Sequence, residues 1–126
     1  MASGTRDGED DWWVACLCAQ WCGVCRDWRP AFVEQARAHP RLRFAWVDVE
    51  DEAEAMGDVD IETFPTLLVA RGTRPLFLGP VLPSGPGFAR LLASLRAQPD
   101  PAPGLPASAQ PLLHRLQGDV LPRCRV

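Results

Sequence analysis

Residues 12–30 read WWVACLCAQWCGVCRDWRP, and this stretch decides the fold. Trp12–Ala19 is a continuous apolar run, which is typical of a strand buried on both faces. Cys22–His39 follows with apolar residues at helical spacing, which predicts a helix. The segment therefore predicts a buried strand that leads into a helix, and a Cys-x-x-Cys pair, Cys22 and Cys25, lies at the junction.

The rest of the chain adds strands and helices to this unit. Leu42–Val49 predicts a second strand and Asp51–Met56 a short acidic helix. Thr66–Ala70 and Pro75–Leu78 predict a hairpin, and the apolar spacing in Phe88–Leu95 predicts a further helix. A strand, a helix and a strand in this order imply a parallel pair, to which the hairpin adds antiparallel strands. We therefore expect an α/β fold of order β-α-β-α-β-β-α, with a mixed four-stranded sheet flanked by helices.

Composition divides the chain into three parts. Residues 1–11 are a polar segment, residues 12–98 form the predicted domain, and residues 99–126 are a proline-rich linker with a C-terminal tail. Leu112, Leu113 and Leu116 predict a short helix in the tail. This helix either packs back on the domain or serves as an appendage.

The charge balance excludes several classes of function. The chain is 47% hydrophobic and 23% charged, as in ordinary globular proteins, and no apolar run approaches the length of a membrane span. A net charge of −3 argues against binding to nucleic acid or to anionic membranes, which depends on clustered basic residues. The first eleven residues carry four acids and one Arg, unlike a secretory signal, so we expect a cytoplasmic protein. Eight of the 16 acids lie between Asp48 and Glu62, which is typical of a solvated helix face.

The cysteines carry the functional signal. Cys16, Cys18, Cys22 and Cys25 lie within ten residues. A Cys-x-x-Cys sequence where a strand leads into a helix indicates a redox pair, because the helix N-terminus stabilises a thiolate. We expect Cys22, at the mouth of the helix, to attack a substrate disulfide. Cys25, one turn further in, would be shielded and would resolve the mixed disulfide.

Three motifs together resemble the thioredoxin family: Trp21-Cys22-Gly23-Val24-Cys25, Pro30 within the helix, and Phe64-Pro65-Thr66 before the third strand. The resemblance covers Trp12 to about Gln98. It implies a thiol-disulfide oxidoreductase with Cys22 and Cys25 as the catalytic pair and disulfide-containing proteins as substrates. An external electron donor, such as a flavoprotein reductase, would supply the electrons, and no organic cofactor is needed. We expect a monomer.

The resemblance also implies a substrate groove. In the family a cis proline precedes the third strand, opposite the nucleophile, and Pro65 stands at that position. Phe64 and Thr66 would then flank the groove, and Trp21 would shield the disulfide. The predicted substrate-binding residues are Trp21, Gly23, Val24, Phe64, Pro65 and Thr66.

The chain also departs from the family. Where members commonly have a buried acid and its lysine partner, this sequence has Cys16 and Trp46, so Cys25 lacks the usual proton acceptor. Cys16 and Cys18 point to one face of the strand, and their simplest interpretation is as small buried hydrophobic residues. A sharper alternative is that Cys16 lies under Cys25 and exchanges with it. A third alternative is that the four clustered cysteines bind zinc through their thiolates.

Two other functions remain open. The fold could serve as a partner-binding module that uses the groove at Pro65 and the leucines of the tail, with inactive cysteines. The cysteine cluster could instead carry a metal. Cys124, near the end of the chain, is expected to be a free surface thiol.

Overall fold

The computed structural model describes residues 11–126, so the predicted polar segment lies outside the described residues except for Asp11. The predicted strands and helices are present in the predicted order, including the helix predicted in the tail, and one further short helix follows it. The elements are β1 (Trp12–Cys18), α1 (Gly23–Ala38), β2 (Arg43–Asp48), α2 (Ala53–Met56), β3 (Thr66–Arg71), β4 (Arg74–Pro80), α3 (Gly85–Ala97), α4 (Ala109–Gln117) and α5 (Val120–Arg123). Within the described part of the chain, no helix is long and apolar enough to span a membrane.

The four strands form one mixed sheet in the order β2-β1-β3-β4. β1 pairs in parallel with β2 and antiparallel with β3, and β3 pairs with β4 as a hairpin. This confirms the predicted sheet. β1 lies inside the sheet and all seven of its residues are buried, as its uninterrupted apolar sequence predicts.

Side chains of β1 alternate between two cores on opposite faces of the sheet. Trp12, Val14, Cys16 and Cys18 lie in the first core with residues of α1 and α3. The intervening residues, such as Leu17, lie in the second core with residues of α2, α4 and α5. Cys16 and Cys18 therefore share one face, as the two-residue period of a strand predicts.

The C-terminal tail covers the second face of the sheet. Leu112, Leu113 and Leu116 are fully buried in the second core. The domain boundary after residue 98 stays a prediction, but these leucines pack on the domain rather than extending from it. The tail contributes to the core because α2 has only four residues and leaves most of this face to be covered.

Polar contacts hold the tail in place. The Arg115 guanidinium donates to the carbonyls of Ala55 (2.6 Å) and Met56 (3.0 Å) at the end of α2. The Gln117 side chain donates to the carbonyl of Gly72 (2.6 Å) in the β3–β4 turn. These bonds satisfy carbonyl groups at the ends of other elements, so the tail has a defined register on the domain.

The last residues of the tail lie along β2, the edge strand. The backbone N–H of Trp46 donates to the Cys124 carbonyl (3.1 Å), and the backbone N–H of Val126 donates to the Phe44 carbonyl (3.0 Å). Cys124 is a free cysteine, as predicted, but it is half-buried rather than on an open surface. Burial, followed by the nearby Glu52 carboxylate, raises its pKa.

Cys16 is a thiol inside the first core. It is fully buried, and its Sγ accepts a hydrogen bond from the Trp28 indole N–H (3.3 Å). Burial raises the pKa of Cys16 to about 12, because the apolar core solvates a thiolate poorly, and the indole bond opposes only part of this effect. Cys16 is therefore a neutral thiol near pH 7.

We predict that truncating a tail leucine destabilises the whole domain. Leu116→Ala removes a fully buried side chain, so the free energy of unfolding in urea should fall by about 2–5 kcal/mol. Leu82 is 81% exposed, and the control Leu82→Ala should change it by less than about 0.5 kcal/mol. Equal effects of the two substitutions would mean that the tail does not contribute to the core.

A second prediction concerns alkaline pH. The chain contains no Lys and no Tyr, so thiols are the side chains that titrate between about pH 9 and pH 12. Cys16 ionises near pH 9 when unfolded and near pH 12 when folded, so its contribution to stability is complete below pH 9 and is lost as the pH rises toward 12.

In the reduced protein this loss should be about 1.4 kcal/mol for each pH unit in that window. The measurement is urea unfolding at several pH values for the wild type and for Cys16→Ala. The variant should show the shallower decline, whereas an identical pH dependence would contradict the burial of this thiol.

Candidate active site

Cys22 and Cys25 lie where β1 leads into α1. Cys22 is the residue before the helix, and its backbone is extended (φ −82°, ψ 115°). Its N–H donates to the Ala19 carbonyl (3.0 Å), which closes a turn between strand and helix. Cys22 is half-buried, whereas Cys25 is buried on the inner face of α1 with Trp28 and Phe32. The two sulfurs thus stand in the outer and inner positions that the sequence predicts.

The disulfide of the structure is not the predicted pair. Cys25 is bonded to Cys18, and Cys22 is a free cysteine. Cys18 is the last residue of β1, and its Cα lies 6.0 Å from that of Cys25, a usual separation for bonded cysteines. In this state Cys25 therefore has its partner beneath it in the core rather than beside it on the loop.

The hypothesis that Cys16 lies under Cys25 is wrong about which cysteine is involved. Cys16 and Cys18 share a face of β1, but Cys18 is two residues closer to the helix and takes the position next to Cys25. Cys16 instead contacts Cys18, with the sulfur atoms 3.5 Å apart. Cys16 does face Trp46 across the β1–β2 pair, so the two residues that replace the family's acid and lysine are neighbours.

The sulfur atoms and an indole form a chain of contacts beneath the helix. Cys18 carries no proton in the disulfide, so the Cys16 thiol is the donor in the contact between them. Cys16 in turn accepts from the Trp28 N–H. The chain Trp28, Cys16, Cys18 thus directs a hydrogen-bond donor at the sulfur of Cys18.

Acidic residues after β2 hold the loop that carries Cys22. The Gln20 N–H donates to Asp48 Oδ2 (2.8 Å), and the Trp21 indole N–H donates to Glu50 Oε2 (2.8 Å). The other oxygen of Asp48 accepts from the N–H groups of Glu50 (2.8 Å) and Asp51 (3.1 Å). Asp48 therefore ties the loop after β1 to the loop after β2.

This network corrects the interpretation of the acidic run as a solvated helix face. Besides Asp48 and Glu50, Glu52 accepts two bonds from Arg123 (2.8 and 2.9 Å), which lower the pKa of its carboxyl group. Part of the acidic run thus binds the active-site loop and the C-terminal tail. The ends of neighbouring parallel strands meet at one edge of the sheet, and that topology was the available signal for Asp48.

The segment before β3 lies beside the same loop. The peptide bond between Phe64 and Pro65 is cis, as the resemblance implies. The Phe64 ring packs edge-on against the ring of Trp21, with 5.7 Å between the centroids. Trp21 is 62% exposed and Val24 is 47% exposed, so apolar surface surrounds Cys22.

The other predicted substrate-binding residues contribute differently. Gly23 is exposed between the two cysteines, and Pro65 is buried. Thr66 is also buried, and its hydroxyl donates to the Thr63 carbonyl (2.6 Å). The Thr66 hydroxyl is therefore used within its own turn, and the expectation that Thr66 flanks the substrate groove stays a prediction.

The structure also bears on the metal alternative. In residues 11–126, no three His, Cys, Asp or Glu side chains come together as ligands for a metal ion. Two of the four clustered cysteines, Cys18 and Cys25, are joined to each other.

Comparison with known proteins identifies relatives. A family model described as Thioredoxin matches residues 6–77. The putative thioredoxin 2 of Streptomyces coelicolor is 36% identical over 62 residues, which cover 49% of this chain and 46% of that protein. The thioredoxin of Alicyclobacillus acidocaldarius is 34% identical over 67 residues, or 52% and 59% of the two chains. The chain spans about half the length of the curated relatives it matches.

Solved structures show the same fold. A poplar thioredoxin h superposes with a TM-score of 0.62 at 23% identity, over 75% of this chain and 83% of that one. Fasciola hepatica thioredoxin gives 0.61 at 22% identity, over 73% and 88%. The family match spans more than half of the sequence and includes the Cys-x-x-Cys pair and the cis proline. The chain belongs to the thioredoxin family.

Proposed function

We propose that this protein is a thiol-disulfide oxidoreductase that reduces disulfides in other proteins through Cys22 and Cys25. The observation that carries the proposal is the half-buried free sulfur of Cys22 at the N-terminus of α1, with the buried sulfur of Cys25 one turn behind it. Membership of the thioredoxin family supports the same chemistry.

The reaction has two exchange steps. The Cys22 thiolate attacks one sulfur of the substrate disulfide, which forms a mixed disulfide and releases the first substrate thiol. Cys25 then attacks the Cys22 sulfur and releases the second. Two electrons pass to the substrate and a Cys22–Cys25 disulfide remains, which an external dithiol donor must reduce. We propose a flavoprotein reductase for that role.

The N-terminus of α1 is suited to the first exchange step. It has no acidic residue in its first turn, and no side chain caps it. Its unpaired backbone N–H groups and the positive end of the helix dipole are therefore left to interact with a sulfur anion. Hydrogen bonds hold the loop that carries Cys22 at this position. Gln20 donates to Asp48, and Trp21 donates to Glu50.

The surface around Cys22 suits a protein substrate. Trp21, Val24 and Phe64 present apolar surface beside the outer sulfur. An extended segment of a substrate could cover these side chains while its disulfide reaches Cys22. We propose that these three residues bind the substrate, that the protein acts as a monomer, and that it acts in the cytoplasm.

The partner-binding alternative loses one of its two supports. It requires the leucines of the tail at the surface, but Leu112, Leu113 and Leu116 are buried in the second core. The other support, a binding surface near Pro65, stays a prediction, and the reductase proposal already uses that region.

We predict opposite outcomes for substitutions at the two cysteines. Cys22→Ser should abolish the reduction of a protein disulfide such as that of insulin, because the attacking sulfur is gone. Cys25→Ser should accumulate a covalent complex through Cys22, visible on non-reducing gels. Cys124→Ser, a half-buried thiol on the tail, is the control and should keep wild-type turnover. Retained turnover in Cys22→Ser, or no covalent complex with Cys25→Ser, would contradict this mechanism.

A further prediction separates chemistry from substrate binding. Trp21→Ala removes exposed apolar surface and the contact with Phe64, so KM for a protein disulfide should rise about tenfold, consistent with about 1.4 kcal/mol of lost contact. Reduction of a small aromatic disulfide should change less than twofold, since it needs no extended surface. Trp21→Phe keeps an aromatic ring at this position, so its KM for the protein disulfide should stay close to the wild-type value. A parallel loss with both substrates would place Trp21 in the chemistry instead.

A further inference from the structure

Cys25 has two possible disulfide partners. Cys22 lies on its outer side at the start of α1, and Cys18 lies on its inner side at the end of β1. Cys18 and Cys25 are each 1% exposed and are bonded in the structure, while Cys22 is free and half-buried. A single sulfur, that of Cys25, is thus placed between a surface thiol and a core thiol.

We propose that Cys18 is a second resolving thiol, which moves the disulfide from the Cys22–Cys25 pair into the core and returns Cys22 to the free thiol. The inference rests on the function proposed above, because the Cys22–Cys25 disulfide is its starting material.

The step is an internal exchange. The Cys18 sulfur attacks the Cys25 sulfur, so the Cys18–Cys25 bond forms as the Cys22–Cys25 bond breaks. Cys22 leaves as the thiolate, and the proton lost by Cys18 is balanced by the one that Cys22 takes up. The number of disulfides stays at one. No electron enters or leaves the protein, so the step needs no oxidant or reductant, and its reversal returns the disulfide to the surface for reduction.

The surroundings of Cys18 are arranged for this role. The Cys18 carbonyl accepts from the Val49 N–H (2.8 Å), which fixes the end of β1. The Cys16 thiol donates toward the Cys18 sulfur (3.5 Å) and is itself held by the Trp28 N–H (3.3 Å). A donor directed at Cys18 stabilises negative charge on its sulfur, both when it attacks and when it leaves. Cys16 and Trp28 are therefore positioning residues.

The exchange changes what the oxidised protein can do. With the disulfide between Cys18 and Cys25, Cys22 is again available but has no resolving partner, so it can form only a mixed disulfide. The buried isomer also adds to the population of the oxidised state. Each tenfold preference for it lowers the reduction potential of the protein by about 30 mV.

The experiment maps disulfides in the full-length protein after equilibration in glutathione redox buffers and acid quenching. Free thiols are alkylated, and the chain is then cut with chymotrypsin. Cleavage after Leu17 and Trp21 separates Cys16, Cys18 and the Cys22–Cys25 peptide from one another. The buried isomer gives two linked peptides with Cys22 alkylated. The surface isomer gives one peptide with an internal disulfide and Cys18 alkylated.

We expect the oxidised wild type to give chiefly the linked peptides. Cys18→Ala should give only the internal Cys22–Cys25 disulfide, and its reduction potential should rise by about 30 mV for each tenfold ratio of isomers measured in the wild type. Cys124→Ser is the control, since it removes a half-buried thiol that packs against the second core and is not a bonding partner of Cys25, and it should keep the linked peptides. The wild-type map needs no variant, so a Cys18 variant that fails to fold leaves the test intact.

The outcomes separate this inference from the proposed function. If the wild type reduces protein disulfides in turnover but its oxidised form carries only the Cys22–Cys25 disulfide, the role of Cys18 is overturned and the oxidoreductase stands. If the reduced wild type and Cys124→Ser both fail to reduce a protein disulfide, the proposed function is overturned, whichever disulfide is mapped.

Discussion

The alternation of side chains along β1 determines how both cores and the active-site sulfurs are arranged. β1 is paired on both edges and covered on both faces, so each of its residues is committed to one core or the other. That commitment places Cys16 and Cys18 toward α1 and Leu17 toward the tail. A shift of one residue in its pairing would turn every one of these side chains to the opposite face. The strand also ends at the loop before α1, so its register sets which sulfur lies beside Cys25.

The second face of the sheet shows how the tail takes part in the same arrangement. Burial of its leucines supplies apolar contact that the four-residue α2 cannot provide. The same tail reaches back toward the active-site loops, because Arg123 binds Glu52 and the end of the chain lies on the edge of β2. Folding of the tail and ordering of the loops after β1 and β2 are therefore connected through one set of contacts.

Local signals in the sequence were sufficient for the sheet and for the helix that begins after Cys22, and the family resemblance implied the cis peptide at Pro65. Each of these depends on residues close together in the chain, such as the apolar run of β1 or the Phe64-Pro65-Thr66 motif. The Cys18–Cys25 contact could not be predicted in this way. Two cysteines on one strand face are equivalent by periodicity, and only the position of α1 over the strand end distinguishes Cys18 from Cys16.

The role of the acids was misinterpreted, and the placement of the tail was left open, for related physical reasons. A carboxylate in an acidic run has the same local pattern whether it is solvated or accepts backbone N–H groups, as Asp48 does. Likewise, a leucine stripe such as that of α4 indicates an apolar face to be covered but does not say by what. In both cases the answer lies in contacts between distant parts of the chain.

The proposed chemistry requires that the outer sulfur, Cys22, is available for exchange while the inner sulfurs are enclosed. The most direct test is the rate at which each thiol of the fully reduced, folded protein reacts with iodoacetamide near neutral pH, followed peptide by peptide. We expect Cys22 to be alkylated first, and Cys16, Cys18 and Cys25 to react only when the protein unfolds. A Cys22 that reacts no faster than these three would contradict it.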